Sequence, residues 1–124
     1  MLNQILAYIG AGFVSFWGIA HLFPTKNVVA DFGEITEDNR NIITMEWIVE
    51  GVALIFIGAL VATVTVVDPT SAVTQAVYWL AVIGLNTLSL VSLFTGFKVS
   101  FFTFKLCPVI FTGASILVLL GILL

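Results

Sequence analysis

Met45-Glu46-Trp47-Ile48-Val49-Glu50-Gly51 opens an uncharged run that continues to Val67. Glu46 and Glu50 stand at i and i+4, which puts both on one face of a helix. From Gly51 onward no charge appears until Asp68, and the run is long and apolar enough to enter a bilayer as a helix. A carboxylate at the edge of hydrocarbon is costly unless it finds a partner or a proton. The two acids therefore mark the mouth of a spanning helix and make it a candidate site. The only histidine, His21, stands at the matching end of the preceding apolar segment.

Composition agrees with a membrane reading. The chain has 124 residues, of which 60% are hydrophobic and 9% charged, against roughly 25% charged in a soluble domain. Four apolar stretches use nearly the whole length, so a single membrane domain is expected over 1–124, with no separate soluble unit. The net charge of −3 and the four scattered basic residues exclude a nucleic-acid partner as the working hypothesis. Cys107 is the only cysteine and has no internal disulfide partner. No basic residue precedes the first apolar stretch, so it is expected to stay as a spanning helix rather than a cleaved signal.

The segments follow in order. A first helix is expected over about 3–23, ended by Pro24. Ala7, Ala11, Ser15 and Gly18 share one of its faces, and small residues let a neighbouring backbone approach. His21 extends that stripe into the bundle. Thr25 is expected to cap a short interfacial helix running to Phe32 and stopped at Gly33, with Val28, Val29 and Phe32 on its apolar side. Thr36 reads as the next cap, with Glu37 and Asp38 in a first turn that favours acids, and the second spanning helix covers 37–67. Asp68 is expected to cap a third helix over 72–96, with Pro69 in its first turn and Tyr78 and Trp79 as an interfacial belt. The stretch 97–105 reads as an aromatic interfacial link. A fourth helix covers about 106–124, with Pro108 in its first turn.

The fold expected is therefore an all-α bundle of four transmembrane helices, with a short interfacial segment between the first and second. Lys26, Arg40, Lys98 and Lys105 all fall on the side of the 1–2 and 3–4 connections. The positive-inside rule then puts those connections in the cytoplasm and both chain ends outside.

A short connection makes the first two spanning helices antiparallel neighbours, so His21, Glu46 and Glu50 lie at similar depth. Such a set can hold a divalent metal such as zinc, iron or manganese, relay a proton, or bond the polar head of a lipid-like ligand. Its structural alternative is a network that sets helix register, with Arg40 or Lys98 as counter-ion. Metal binding draws no support from His-x-x-His, Glu-x-x-His or Cys-x-x-Cys patterns, none of which occurs. Arg40 is read as a positional charge or as a partner of Glu46 or Glu50, although its spacing from Glu46 is off the i+3 and i+4 rule. Trp17 and Trp47 are read as packing aromatics or as walls of a pocket around His21. Asn86, near mid-membrane, is read as a bond between helices or a ligand contact. Thr112 and Ser115 are expected to bond their own helix backbone. Cys107 reads as a small apolar packer beside Lys105, with no base to make it a nucleophile. No catalytic triad, phosphate loop or dinucleotide fingerprint is present, so enzymatic activity is left open.

Gly18-Ile19-Ala20-His21-Leu22-Phe23-Pro24 resembles the end of the first helix in the DoxX-like family, where a glycine precedes a basic residue, leucine and proline. That family's second helix opens with glutamate and glycine, and Glu46 or Glu50 with Gly51 can stand in that role. The resemblance implies four membrane helices; the family includes a subunit linked to thiosulfate:quinone oxidation and a receptor-assembly chaperone, so it implies fold more than function.

Three functions are expected to compete. The first is a module that binds a lipid, quinone or other amphipathic molecule through His21, Glu46, Glu50, Trp17, Trp47, Arg40 and Asn86. The second is a structural or assembly subunit of a larger membrane complex, or a homo-oligomer. The third is a proton-coupled transporter or a metal-dependent membrane enzyme.

Overall fold

The computed structural model describes residues 1–124 and contains helices but no strand. The helices are α1 (Leu2–Leu22), α2 (Thr25–Ala30), α3 (Glu37–Val67), α4 (Ala72–Thr95) and α5 (Phe102–Leu123), with a 3-10 turn at Gly96–Lys98. All but α2 are long and apolar enough to cross a membrane, so the chain is an all-α, multi-pass bundle. Many large apolar residues are exposed, among them Phe16, Phe56, Leu80 and Val109, as a lipid-facing surface requires.

The ring order is α1, α3, α4, α5. α1 packs heavily on α3 and on α5, and α5 on α4, while the α3–α4 seam is the sparsest. Small residues explain the tightness of α1. A Cβ placed on Gly18 would stand 2.7 Å from the Gly51 carbonyl oxygen, and one on Gly58 would collide with Ser15. One on Gly121 would meet the Asn3 carbonyl oxygen at 3.0 Å, which brings the two chain ends together. With little hydrophobic drive between helices in lipid, such close backbone approach supplies the packing energy. Two apolar clusters fill the interior: Ala7, Ala11, Val61, Tyr78, Ala81, Val82 and Val118 nearer the termini, and Val14, Leu54, Leu85, Phe111 and Ala114 nearer the other end.

Thr36 caps α3, its hydroxyl accepting from the Asn39 N–H at 3.2 Å, and Gly33 takes the left-handed conformation (φ 73°) that ends the short α2 stretch. Several local expectations need correction. Thr25 lies inside α2 rather than capping it, and its hydroxyl donates to the Leu22 carbonyl at 2.6 Å. Asp68 ends α3, and Ser71 caps α4 by accepting from the Thr74 N–H at 3.1 Å. Asp68 instead folds its carboxylate onto the Thr70 hydroxyl (2.8 Å) and N–H (2.9 Å), and those bonds hold its carboxyl below the usual range. Tyr78 is core, not belt. It shares the inward face with Ala81, Val82 and Leu85, and its hydroxyl meets Thr65 at 2.6 Å, so burial leaves no unpaired O–H. α5 begins at Phe102, so Pro108 lies inside it. Near hydrocarbon the backbone must satisfy itself, which extends the helix N-terminally past the proline.

Candidate functional site

The site lies at the end of the bundle opposite the termini, where α1 stops and α3 begins. The last carbonyls of a helix have no partner within it. Trp47 answers this for α1: its indole N–H donates to the His21 carbonyl at 2.7 Å. The bond pulls the two rings together, and the His21 imidazole stacks on Trp47 at 3.8 Å with planes 15° apart. Phe104 of α5 meets Trp47 edge-on at 5.8 Å. Gly18 and Gly51 make this possible, because they bring the backbones of α1 and α3 into contact one turn deeper.

His21 is thereby sealed in, its side chain 7% exposed. Its Nε2 stands 3.5 Å from a Glu50 carboxylate oxygen, too far for a good N–H···O bond, and has no hydrogen-bond partner. Trp17, one turn earlier on α1, packs against the core cluster near Cys107, and its buried indole nitrogen makes no regular hydrogen bond. Each such group costs about 1–3 kcal/mol if left unpaired. Glu50 by contrast is half-exposed. It forms one wall of an open groove of about 420 Å³ along α3, lined by Ile42, Ile43, Glu46, Trp47, Val49 and Glu50.

The structure thus brings His21, Trp47 and Glu50 together, with Trp17 one turn below His21. Glu46 shares the groove with Glu50 but is exposed. The expected metal set of His21, Glu46 and Glu50 is not formed, since no three His, Cys, Asp or Glu side chains are placed to share an ion. The physical reason is helical geometry: Glu50 turns toward the imidazole, and Glu46 sits a full turn nearer solvent.

Arg40 pairs with neither glutamate; it lines a separate cleft with Thr25, Lys26, Val29, Asn41 and Thr44. Asn86 sits between α4 and α5, where its amide donates to the Val82 carbonyl (2.8 Å) and the Ser115 hydroxyl (2.6 Å). Ser115 and Thr112 do not bond their own helix as expected. They reach across to α4, Ser115 to the Val82 carbonyl and Thr112 to Ser89 at 2.7 Å, because cross-helix bonds are what small polar residues supply in lipid.

The unpartnered Trp17 nitrogen and the Trp47 bond to the His21 backbone escaped the sequence reading. The i, i+4 spacing of Trp17 and His21 was the available signal for the first. The second depends on a contact between distant segments that no local pattern records.

Comparison with family models, with curated proteins and with solved structures gives no match to this chain. Fold and composition define the class: an integral, multi-pass, helical membrane protein.

Proposed function

We propose that this protein is a membrane binding module for an amphipathic molecule, a lipid or a quinone, whose polar head sits against Glu50, Trp47 and His21. The supporting observation is the buried, unpartnered His21 Nε2 facing Glu50 beside an open groove. A polar group seated in the groove would bond Glu50 at its wall and reach the His21 Nε2 behind that carboxylate by displacing the Glu50 side chain, while Val49 would pack against the ligand's apolar part. Glu46 would contribute charge at the rim. The lysine and arginine count at this end orients it toward the cytoplasm, with both termini outside. Membership of the DoxX-like family is part of the same proposal and is compatible with the four spans.

The test is tryptophan fluorescence of the reconstituted protein titrated with a short-chain quinone and with a panel of lipids. A saturable change, lost in His21→Leu and weakened in Glu50→Gln, is expected. The reading fails if no quinone or lipid produces saturation.

A second reading, an assembly subunit, rests on one feature: every residue lining the groove belongs to α3, so a partner helix can supply the missing wall. Co-purification of an unrelated chain, released by Val49→Arg, would favour it.

A further inference from the structure

Lys26 and Arg40, distant in sequence, converge on one cleft between α2 and the first turns of α3. The cleft has a volume of about 270 Å³ and is lined by Thr25, Lys26, Val29, Arg40, Asn41 and Thr44. Val29, the one apolar lining residue, is buried and anchors α2 to the bundle. The chain's one pairing of a basic with an acidic side chain is His21 with Glu50. Lys26 and Arg40 therefore have no carboxylate partner, although Asp31, Glu34, Glu37 and Asp38 occupy the same connection. Both hydroxyls in the cleft are already committed as donors: Thr25 to the Leu22 carbonyl at 2.6 Å and Thr44 to the Arg40 carbonyl at 2.8 Å. The donors left are the nitrogens of Lys26, Arg40 and Asn41. A guanidinium and an ammonium lining one cleft suit a phosphate, the first through two parallel bonds and the second as a point charge. The level is also right, since the cleft lies where α1 has ended and α3 has yet to enter its uncharged run.

We propose that this cleft binds a phosphate-bearing anion at the membrane surface, held by Lys26, Arg40 and Asn41, separately from the His21 site. The connection as a whole is net acidic, with four acids against two bases between Pro24 and Ile43. Attraction to any anionic surface would therefore be weak, and binding would depend on the cleft itself.

The test is native mass spectrometry of the full chain, released from nanodiscs of phosphatidylcholine containing phosphatidylglycerol. The wild type should retain phosphatidylglycerol in preference to phosphatidylcholine. Each of Lys26→Gln and Arg40→Gln should lower that preference about fivefold, the usual worth of one basic residue near anionic lipid. Lys98→Gln should leave it unchanged, because Lys98 is at the same end but outside the cleft. Displacement of the bound lipid by inorganic phosphate, beyond a chloride control of equal ionic strength, would assign the site to free phosphate; resistance would assign it to lipid. Either supports the phosphate chemistry. A double Lys26→Gln, Arg40→Gln variant with wild-type preference, or an equal loss in Lys98→Gln, overturns the proposal. The quinone titration of the His21 site is read on the same variants and should not change, so failure of one site leaves the other standing.

Discussion

Gly18→Ala should loosen the bundle and open the site at once. A methyl at Gly18 would lie 2.7 Å from the Gly51 carbonyl oxygen and 2.9 Å from both Leu54 Cβ and Ile55 Cγ1. Comfortable separations between such atoms are about 3.5–4.0 Å, so α1 and α3 must part by something approaching 1 Å at this level. Two of the three opposing atoms belong to the backbone or to a Cβ, which cannot swing aside. Overpacking of this kind costs about 1–3 kcal/mol, a five- to 150-fold change in the folding equilibrium. In water an added helix-propensity gain would offset part of that. In lipid the separated helices stay helical, so the offset is small. Gly113→Ala is the control, since nothing stands within 4 Å of its added methyl. Reversible unfolding of the two variants in mixed micelles measures the difference. The Trp47 bond to the His21 carbonyl lies one turn away, so a red shift of tryptophan emission should accompany the loss in Gly18→Ala only. Equal stability of the two variants would refute the close-approach account of the α1–α3 seam.

Trp47→Phe keeps an aromatic ring on His21 but leaves its carbonyl unpaired, and should cost about 1–3 kcal/mol in the same assay. Tyr78→Phe removes the hydroxyl from Thr65, which keeps its own bond to Val61, so the expected loss is about 0.6–2 kcal/mol by thermal unfolding in detergent. Asp68 is fully exposed, and its folded-state carboxyl titrates lower than in the unfolded chain. Its contribution to stability is therefore present at neutral pH and fades as pH falls through the depressed value; unfolding followed down to pH 3 should show a small acid-side loss that Asp68→Ala abolishes. Asn86→Leu leaves Ser115 with its bond to Val82 and should weaken α4–α5 packing by about 1 kcal/mol without altering quinone titration, because Asn86 is remote from the groove.

The spans were legible because the bilayer imposes one rule on every residue: long uncharged runs cross it, and the backbone closes on itself as helix. The bounds of α3 follow from that rule plus one cap, Thr36, and one terminal charge, Asp68. Polar residues were legible as to type but not as to partner. Ser115 and Thr112 look the same in sequence whether they bond their own turn or the next helix, and only the α4–α5 approach decides it. Tyr78 shows the same gap. Its position near a helix start suggests an interfacial anchor, yet the inward phase it shares with Ala81 and Leu85, together with Thr65 across the seam, makes it core. At the site, spacing placed Glu46 and Glu50 on one face but could not show that only Glu50 reaches the imidazole.

The site combines a rigid side with an open one, and the arrangement follows from where the glycines fall. Gly18, Gly51 and Gly58 lock α1 to α3, so His21 and Trp47 are held by backbone contact rather than by flexible side chains. Gly84 of α4 makes no such contact, with nothing within 4 Å of an added methyl, and the α3–α4 seam is the sparsest of the four. A molecule approaching Glu50 therefore meets a carboxylate backed by a fixed imidazole–indole stack. On the proposed reading, head-group recognition belongs to that stack and to the Glu50 carboxylate in front of it. Affinity should then respond sharply to His21 and Trp47, and only weakly to single changes among Ile42, Ile43 and Val49.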